Sequence, residues 1–179
     1  MTKSPKRKQI RIKNYNYSNN GVYFVTICSK DRKNMFTEIK SNVGAGLVSA
    51  RFNLTELGKI IDDYWINIEI QYDNIGLDQH IIMPNHIHGI LIINECGNRA
   101  DARPAPTLSD VICSFKSKYS VEYLKYIKQN NLNISCKIWQ RSFHDHVIRN
   151  EKSLQEIREY IVNNPLNWKT DKNNINRNS

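Results

Sequence analysis

Two apolar, strand-sized runs placed back to back constrain this chain most. Ile75 to Met83 and His86 to Asn94 are separated only by Pro84-Asn85, a turn signal, so they read as a β-hairpin. The second run holds Ile90-Leu91-Ile92-Ile93, the longest clean apolar stretch. A strand apolar on both faces belongs in the middle of a sheet covered on both sides. The run is far short of the ~20 residues needed to cross a membrane. Val22 to Cys28, rich in β-branched and aromatic residues and released by Gly21, reads as another buried strand.

Helical periodicity separates these strands. Leu57, Ile60, Ile61, Tyr64, Trp65 and Ile68 recur at steps of three and four, which predicts a helix over residues 55–69 capped by Thr55 or Asn53. Leu108, Val111, Ile112, Phe115 and Tyr119 mark a second helix, with Thr107 and Asp110 placed as a capping box. Residues 137–148 read as a last strand, and residues 151–164 as a third helix with Leu154, Ile157 and Ile161 on one face, stopped by Pro165. Loops are expected at residues 42–51 and 96–106, where Gly, Ala and Pro gather. The order is strand, helix, strand, strand, helix, strand, helix. This is the α+β, ferredoxin-like split βαβ pattern: an antiparallel sheet with helices on one face and an extra C-terminal helix.

The 179 residues suit a single domain over 1–179, with a basic arm at 1–20 and a polar, frayed tail at 169–179. Twenty-six Lys and Arg against 17 Asp and Glu leave a net charge of +9, which points to a polyanionic partner, nucleic acid before an anionic membrane surface. The arm carries Arg7, Lys8 and Arg11 with no acid among them, and Lys116 and Lys118 lie off the apolar stripe of the second helix. These five are the expected DNA-backbone contacts; each also suits plain solvation. The N-terminus shows no secretory h-region, and four scattered cysteines fit neither a zinc finger nor a C-x-x-C motif, so a reduced, cytoplasmic protein is expected.

His86-Ile87-His88 places two imidazoles on one face of a strand, where both can bind one metal ion, although two unrelated surface histidines show the same pattern. Tyr160 and Asn164 are four apart and share a helix face. Taken separately they read as a core tyrosine and a helix cap. Together they offer a nucleophile and a carboxamide oxygen. A phenol with pKa ~10 is a poor nucleophile at neutral pH unless the group it attacks is polarised. His144-Asp145-His146 repeats the H-x-H spacing, and its simpler reading is a structural strand before the third helix.

Four blocks in order resemble the single-tyrosine (HUH) transposases, and among them the REP-associated tyrosine transposases. They are Gly21 to Cys28, His80 to Ile93 with its His-hydrophobic-His core, Trp139 to Arg149, and Ile157 to Pro165. The resemblance spans about residues 8–168. It implies that Tyr160 attacks a phosphodiester of single-stranded, hairpin-forming DNA, giving a 5′-phosphotyrosine link and a free 3′-OH. It implies that His86, His88 and Asn164 hold one Mg²⁺ or Mn²⁺. Many relatives have Gln where Asn164 stands, one methylene longer, so a ligand role for Asn164 demands a close approach of helix to sheet. The resemblance leaves a homodimer open. A catalytically silent hairpin-binding module is the alternative. A histidine-triad hydrolase is disfavoured by Ile90 at the third alternating position.

Overall fold

The computed structural model describes residues 20–40, 51–95 and 106–176. Arg7, Lys8 and Arg11, and the centres of both expected loops, lie outside them. The elements are β1 (Gly21–Cys28), β2 (Thr37–Lys40), β3 (Arg51–Leu54), α1 (Glu56–Ile66), α2 (Ile68–Gln71), β4 (Ile75–Ile82), β5 (His86–Ile93), α3 (Leu108–Gln129), β6 (His144–Ile148) and α4 (Glu151–Asn163). One four-stranded sheet has the order β4-β5-β1-β6, with every neighbouring pair antiparallel. This is the split βαβ arrangement. A separate two-stranded hairpin, β2–β3, is inserted ahead of α1.

Period-two alternation sorts the sheet into two unequal faces. Tyr23, Val25 and Ile27 of β1 and Ile87 and Leu91 of β5 face α1 and α3 and build the main core. Trp65 lies in that core directly against Gly89. Thr55 caps α1 by accepting from the Gly58 N–H at 3.0 Å, and Thr107 and Asp110 form the expected capping box on α3. Tyr119, fully buried, donates its hydroxyl to the Leu57 carbonyl at 3.1 Å and so ties α3 to α1. On the opposite face Val22, Phe24, Ile81 and Ile90 meet Leu154, Ile157 and Ile161 of α4 in a smaller cluster. The tyrosine-bearing helix therefore packs on the side of the sheet opposite α1 and α3.

Three local features differ from the sequence reading. The first helix breaks at Asn67, whose side chain donates to the Asp63 carbonyl, so α1 and α2 share the predicted span. The last strand begins at His144, not at residue 137. Ahead of it the chain is irregular: Ile138 turns into the main core, and the Trp139 indole donates to the Lys116 carbonyl at 3.2 Å. Finally, β4 carries a bulge between Leu77 and His80. The extra residue lets Ile75 and Ile82 both face the main core despite their odd separation. Among the described residues no helix is long and apolar enough to cross a membrane.

Candidate active site

The site lies on the α4 face of the sheet, where β5 begins. His86 and His88 are 0% and 1% exposed and project toward α4, as alternation on β5 requires. Each ring is held by the nitrogen it does not aim at the site. Thr26, the cross-strand partner of His88, sets its Oγ1 2.9 Å from His88 Nδ1. The buried Asn85 sets its Oδ1 2.8 Å from His86 Nδ1, while its amide nitrogen donates to the carbonyls of Arg32 and Asn173. Those two donations assign the Asn85 amide orientation. Its oxygen then accepts from His86 Nδ1–H, which leaves His86 Nε2 as a bare acceptor.

The two Nε2 atoms approach to 3.0 Å. Burial, reinforced by the charges of Arg32 and Lys172, pulls the His86 pKa down to about 3. Burial and the neighbouring His86 hold His88 well below its ordinary value. Both rings are thus neutral at pH 7, the state a metal ligand needs. A bare Nε2 facing a second nitrogen at this distance calls for a proton or a cation between them.

Helix α4 delivers Tyr160 and Asn164 to the same place. Asn150 caps its start by accepting from the Ser153 N–H at 2.8 Å, and Arg158 grips Asp78, at the β4 bulge, through Nε and Nη2 at 3.0 and 2.6 Å. The Tyr160 hydroxyl lies 3.3 Å from His88 Nε2, and its ring meets Phe24 edge-on. Burial, with the charge of Asp171 adding to it and a hydrogen bond from Asn164 opposing it, raises the Tyr160 pKa. Asn164 is 1% exposed; its Nδ2 donates to Asp171 Oδ2 at 3.2 Å, and its Oδ1 is buried without a hydrogen-bond partner. An orphaned carboxamide oxygen beside two paired imidazoles suits a cation.

Asp171 is the member that sequence reasoning missed. The predicted frayed tail instead folds back. After Pro165 the chain continues in tight turns, Trp168 is buried against His86, and Asp171, Asn173 and Asn174 are buried too. His86, His88 and Asp171 each offer a ligand atom, and these atoms lie within 4.8 Å of one another. Two imidazole nitrogens, a carboxylate and the free Asn164 oxygen form a donor set suited to a divalent cation that accepts nitrogen and oxygen. No spacing pattern links Asp171 to the histidines, so only the folded chain shows it.

The other expected residues fall elsewhere. Lys116 is half-buried on α3, across the sheet from Tyr160, and donates to the carbonyls of Gln140 at 2.6 Å and Arg141 at 3.4 Å. Lys118, on the same helix, is exposed and bonds the Gln71 side chain. Neither reaches the histidine site. His144 and His146 are exposed on the edge strand β6 and lie outside the cluster of possible ligands. Two cations that sequence reading did not single out stand closer. Arg32 Nη1 donates to the Lys172 carbonyl at 2.7 Å, which places both beside Asp171.

No protein-family model matches the chain. A Haemophilus influenzae protein of unassigned function is 34% identical over 174 residues, spanning 92% of this chain and 91% of the relative. A second H. influenzae protein, provisionally named a REP-associated tyrosine transposase, is 30% identical over 89 residues, spanning 48% of this chain and 46% of that protein. The solved structure of a REP-associated tyrosine transposase bound to a REP hairpin superposes with a TM-score of 0.54 at 19% identity, covering 88% of this chain and 74% of the other. The chain belongs to one family with its full-length H. influenzae relative, and it resembles the REP-associated tyrosine transposases, whose fold it carries.

Proposed function

We propose that this chain is a metal-dependent single-strand DNA endonuclease and strand transferase that acts at hairpin-flanked sites through a 5′-phosphotyrosine link. The observation that carries the reading is the convergence of the Tyr160 hydroxyl, two neutral imidazoles, the Asn164 side chain with its orphaned oxygen, and Asp171 in one cluster. His86, His88 and Asp171, with Asn164 Oδ1, would hold Mg²⁺ or Mn²⁺. When bound, the cation supplies Lewis-acid polarisation of the scissile phosphate.

The chain's own groups do the rest. Tyr160 is 39% exposed, so the residue is open to an approaching strand and to water that can take its proton. Phe24 and His88 pack against its ring and fix the angle of attack. The phenolic oxygen bonds to phosphorus as the bond to the 3′ oxygen breaks, giving a 5′-phosphotyrosine and a free 3′-OH. Because the link keeps the phosphodiester energy, attack by a 3′-OH reseals DNA without a nucleotide cofactor. The net charge of +9 supplies attraction for the strand, with Arg32 and Lys172 nearest the site and Arg7, Lys8 and Arg11 as proposed outer phosphate contacts.

The test is a denaturing gel of the full chain incubated with a single-stranded hairpin oligonucleotide drawn from the DNA flanking its gene, with Mg²⁺ or Mn²⁺. A covalent band that needs metal and is lost in Tyr160→Phe is the expected result. Binding on a native gel with no adduct under either metal would replace this reading with that of a silent hairpin-binding module.

A further inference from the structure

Four of the chain's five histidines share one face of three adjacent strands. His86 and His88 on β5 belong to the site described above. His144 and His146 lie on β6, on the other side of β1. Register fixes their direction. His144 stands opposite Thr26 and His146 opposite Phe24. Directly opposed residues of an antiparallel pair project to the same side, and Phe24 packs in the α4 cluster with Val22 and Ile148. Both imidazoles therefore rise from the α4 face. The intervening Asp145 and the following Val147 take the other side, where Val147 joins the main core. No carboxylate of β6 thus stands between the two rings. Both histidines are exposed, so α4 does not cover them.

The two rings adjoin the site through β1. Thr26, opposite His144, also sets its Oγ1 2.9 Å from His88 Nδ1. Phe24, opposite His146, lies 6.0 Å from the Tyr160 ring and 5.1 Å from the His88 ring. Cross-strand partners have Cβ atoms about 5 Å apart, so two steps across the sheet put His144 about 10 Å from His88. One strand of DNA advances about 3.4 Å per nucleotide. A strand lying across β1 from Tyr160 therefore presents to β6 a phosphate about two or three nucleotides from the one attacked.

We propose that His144 and His146 form a second phosphate-binding site, which grips the backbone of the substrate strand about two or three nucleotides from the attacked phosphate. The proposal rests on the reading of the chain as an enzyme of single-stranded DNA. An imidazole offers an N–H donor whether neutral or protonated, and the non-bridging phosphate oxygens accept. Short rings on a hydrogen-bonded strand also fix a phosphate more closely than a lysine on its flexible stem. Holding the strand at β6 as well as at Tyr160 aligns the attacked phosphate with the nucleophile. The contact positions the strand and reads no base, as phosphate contacts in general do.

The experiment uses the full chain and the hairpin oligonucleotide drawn from the DNA flanking its gene. An uncharged methylphosphonate replaces one phosphate at a time through the unpaired flank, and affinity is read by fluorescence anisotropy. In the wild type, a position about two or three nucleotides from the point of adduct formation is expected to weaken binding about tenfold. In His144→Ala, His146→Ala and the double variant that position loses its sensitivity, while other sensitive positions keep theirs. Both side chains are exposed, so the unfolding midpoints should stay within about 2 °C of wild type, which checks folding. A wild-type scan without such a position, or the same scan in the double variant, overturns the second site. A Tyr160 adduct with an unchanged scan overturns the second site alone. A position whose sensitivity the variants remove, in a chain that forms no adduct, overturns the chemistry alone.

Discussion

Gly89 is the position at which a single methyl group should do most damage beside the site. It stands on β5 between His88 and Ile90, and the Trp65 ring fills the space beside its Cα. A Cβ there would sit 2.2 Å from Trp65 Cζ2 and within 2.9 Å of two further ring carbons. Trp65 is 0% exposed and boxed in by Phe115 at 5.5 Å, so it has little room to retreat. Overpacking a core costs about 1–3 kcal/mol, and a clash this deep against a rigid ring belongs at the top of that range, about 3 kcal/mol. For a chain of this size that lowers the midpoint by roughly 6–12 °C. Gly76 on the adjacent strand is the matched control, since its added Cβ would meet nothing closer than 3.7 Å. Thermal and urea unfolding of Gly89→Ala and Gly76→Ala should differ by most of the 3 kcal/mol, and Trp65→Phe should recover part of the loss in a double-mutant cycle. Equal stability of the two alanine variants would refute the packing argument.

Other outcomes follow from the same contacts. In chelator, stability should fall as pH drops from 6.5 toward 3. The folded pKa of His86 lies below its unfolded value, so the unfolded chain binds the extra proton across that window, at up to about 1.4 kcal/mol per pH unit. Thermal scans of wild type and His86→Asn should show the slope flattening in the variant. Asp171→Ala should weaken Mn²⁺ binding, read by electron paramagnetic resonance, at least tenfold. Thr107→Ala removes one half of the capping box on α3 and should cost about 1 kcal/mol in urea unfolding without changing metal affinity. Arg158→Gln should slow adduct formation more than it weakens DNA binding, because Arg158 anchors the helix that aims Tyr160.

The main sheet and its helices were legible because burial on each side of β1 and β5 leaves a periodic mark, and Thr55, Thr107 and Pro165 punctuate the helices. The H-x-H pair and the Tyr160–Asn164 pair were legible because local spacing places each pair on one face. What escaped had no local period. The β2–β3 hairpin is two four-residue strands, Thr37–Lys40 and Arg51–Leu54, too short for alternation to register. Ile138 and Trp139 look like strand residues because they are buried, yet they bury as an irregular segment against α3. Asp171 and Trp168 belong to a stretch whose polar composition suggests solvent. They are ordered by contacts with Asn164 and His86, and such long-range closure leaves no trace in composition.

The unequal faces of the sheet have a consequence for how the molecule breathes. Beneath α1 and α3 lies a broad apolar interior, whereas α4 is seated on a small cluster of aliphatic side chains with Phe24 and on the Arg158–Asp78 clasp. Amide hydrogens of β1 and β5 should therefore exchange only when the whole chain unfolds. Those of α4 should exchange through a cheaper partial opening that lifts one helix and leaves the rest intact. On the proposed function, a helix that detaches on its own would carry a tyrosine-linked strand away from the histidines and bring it back.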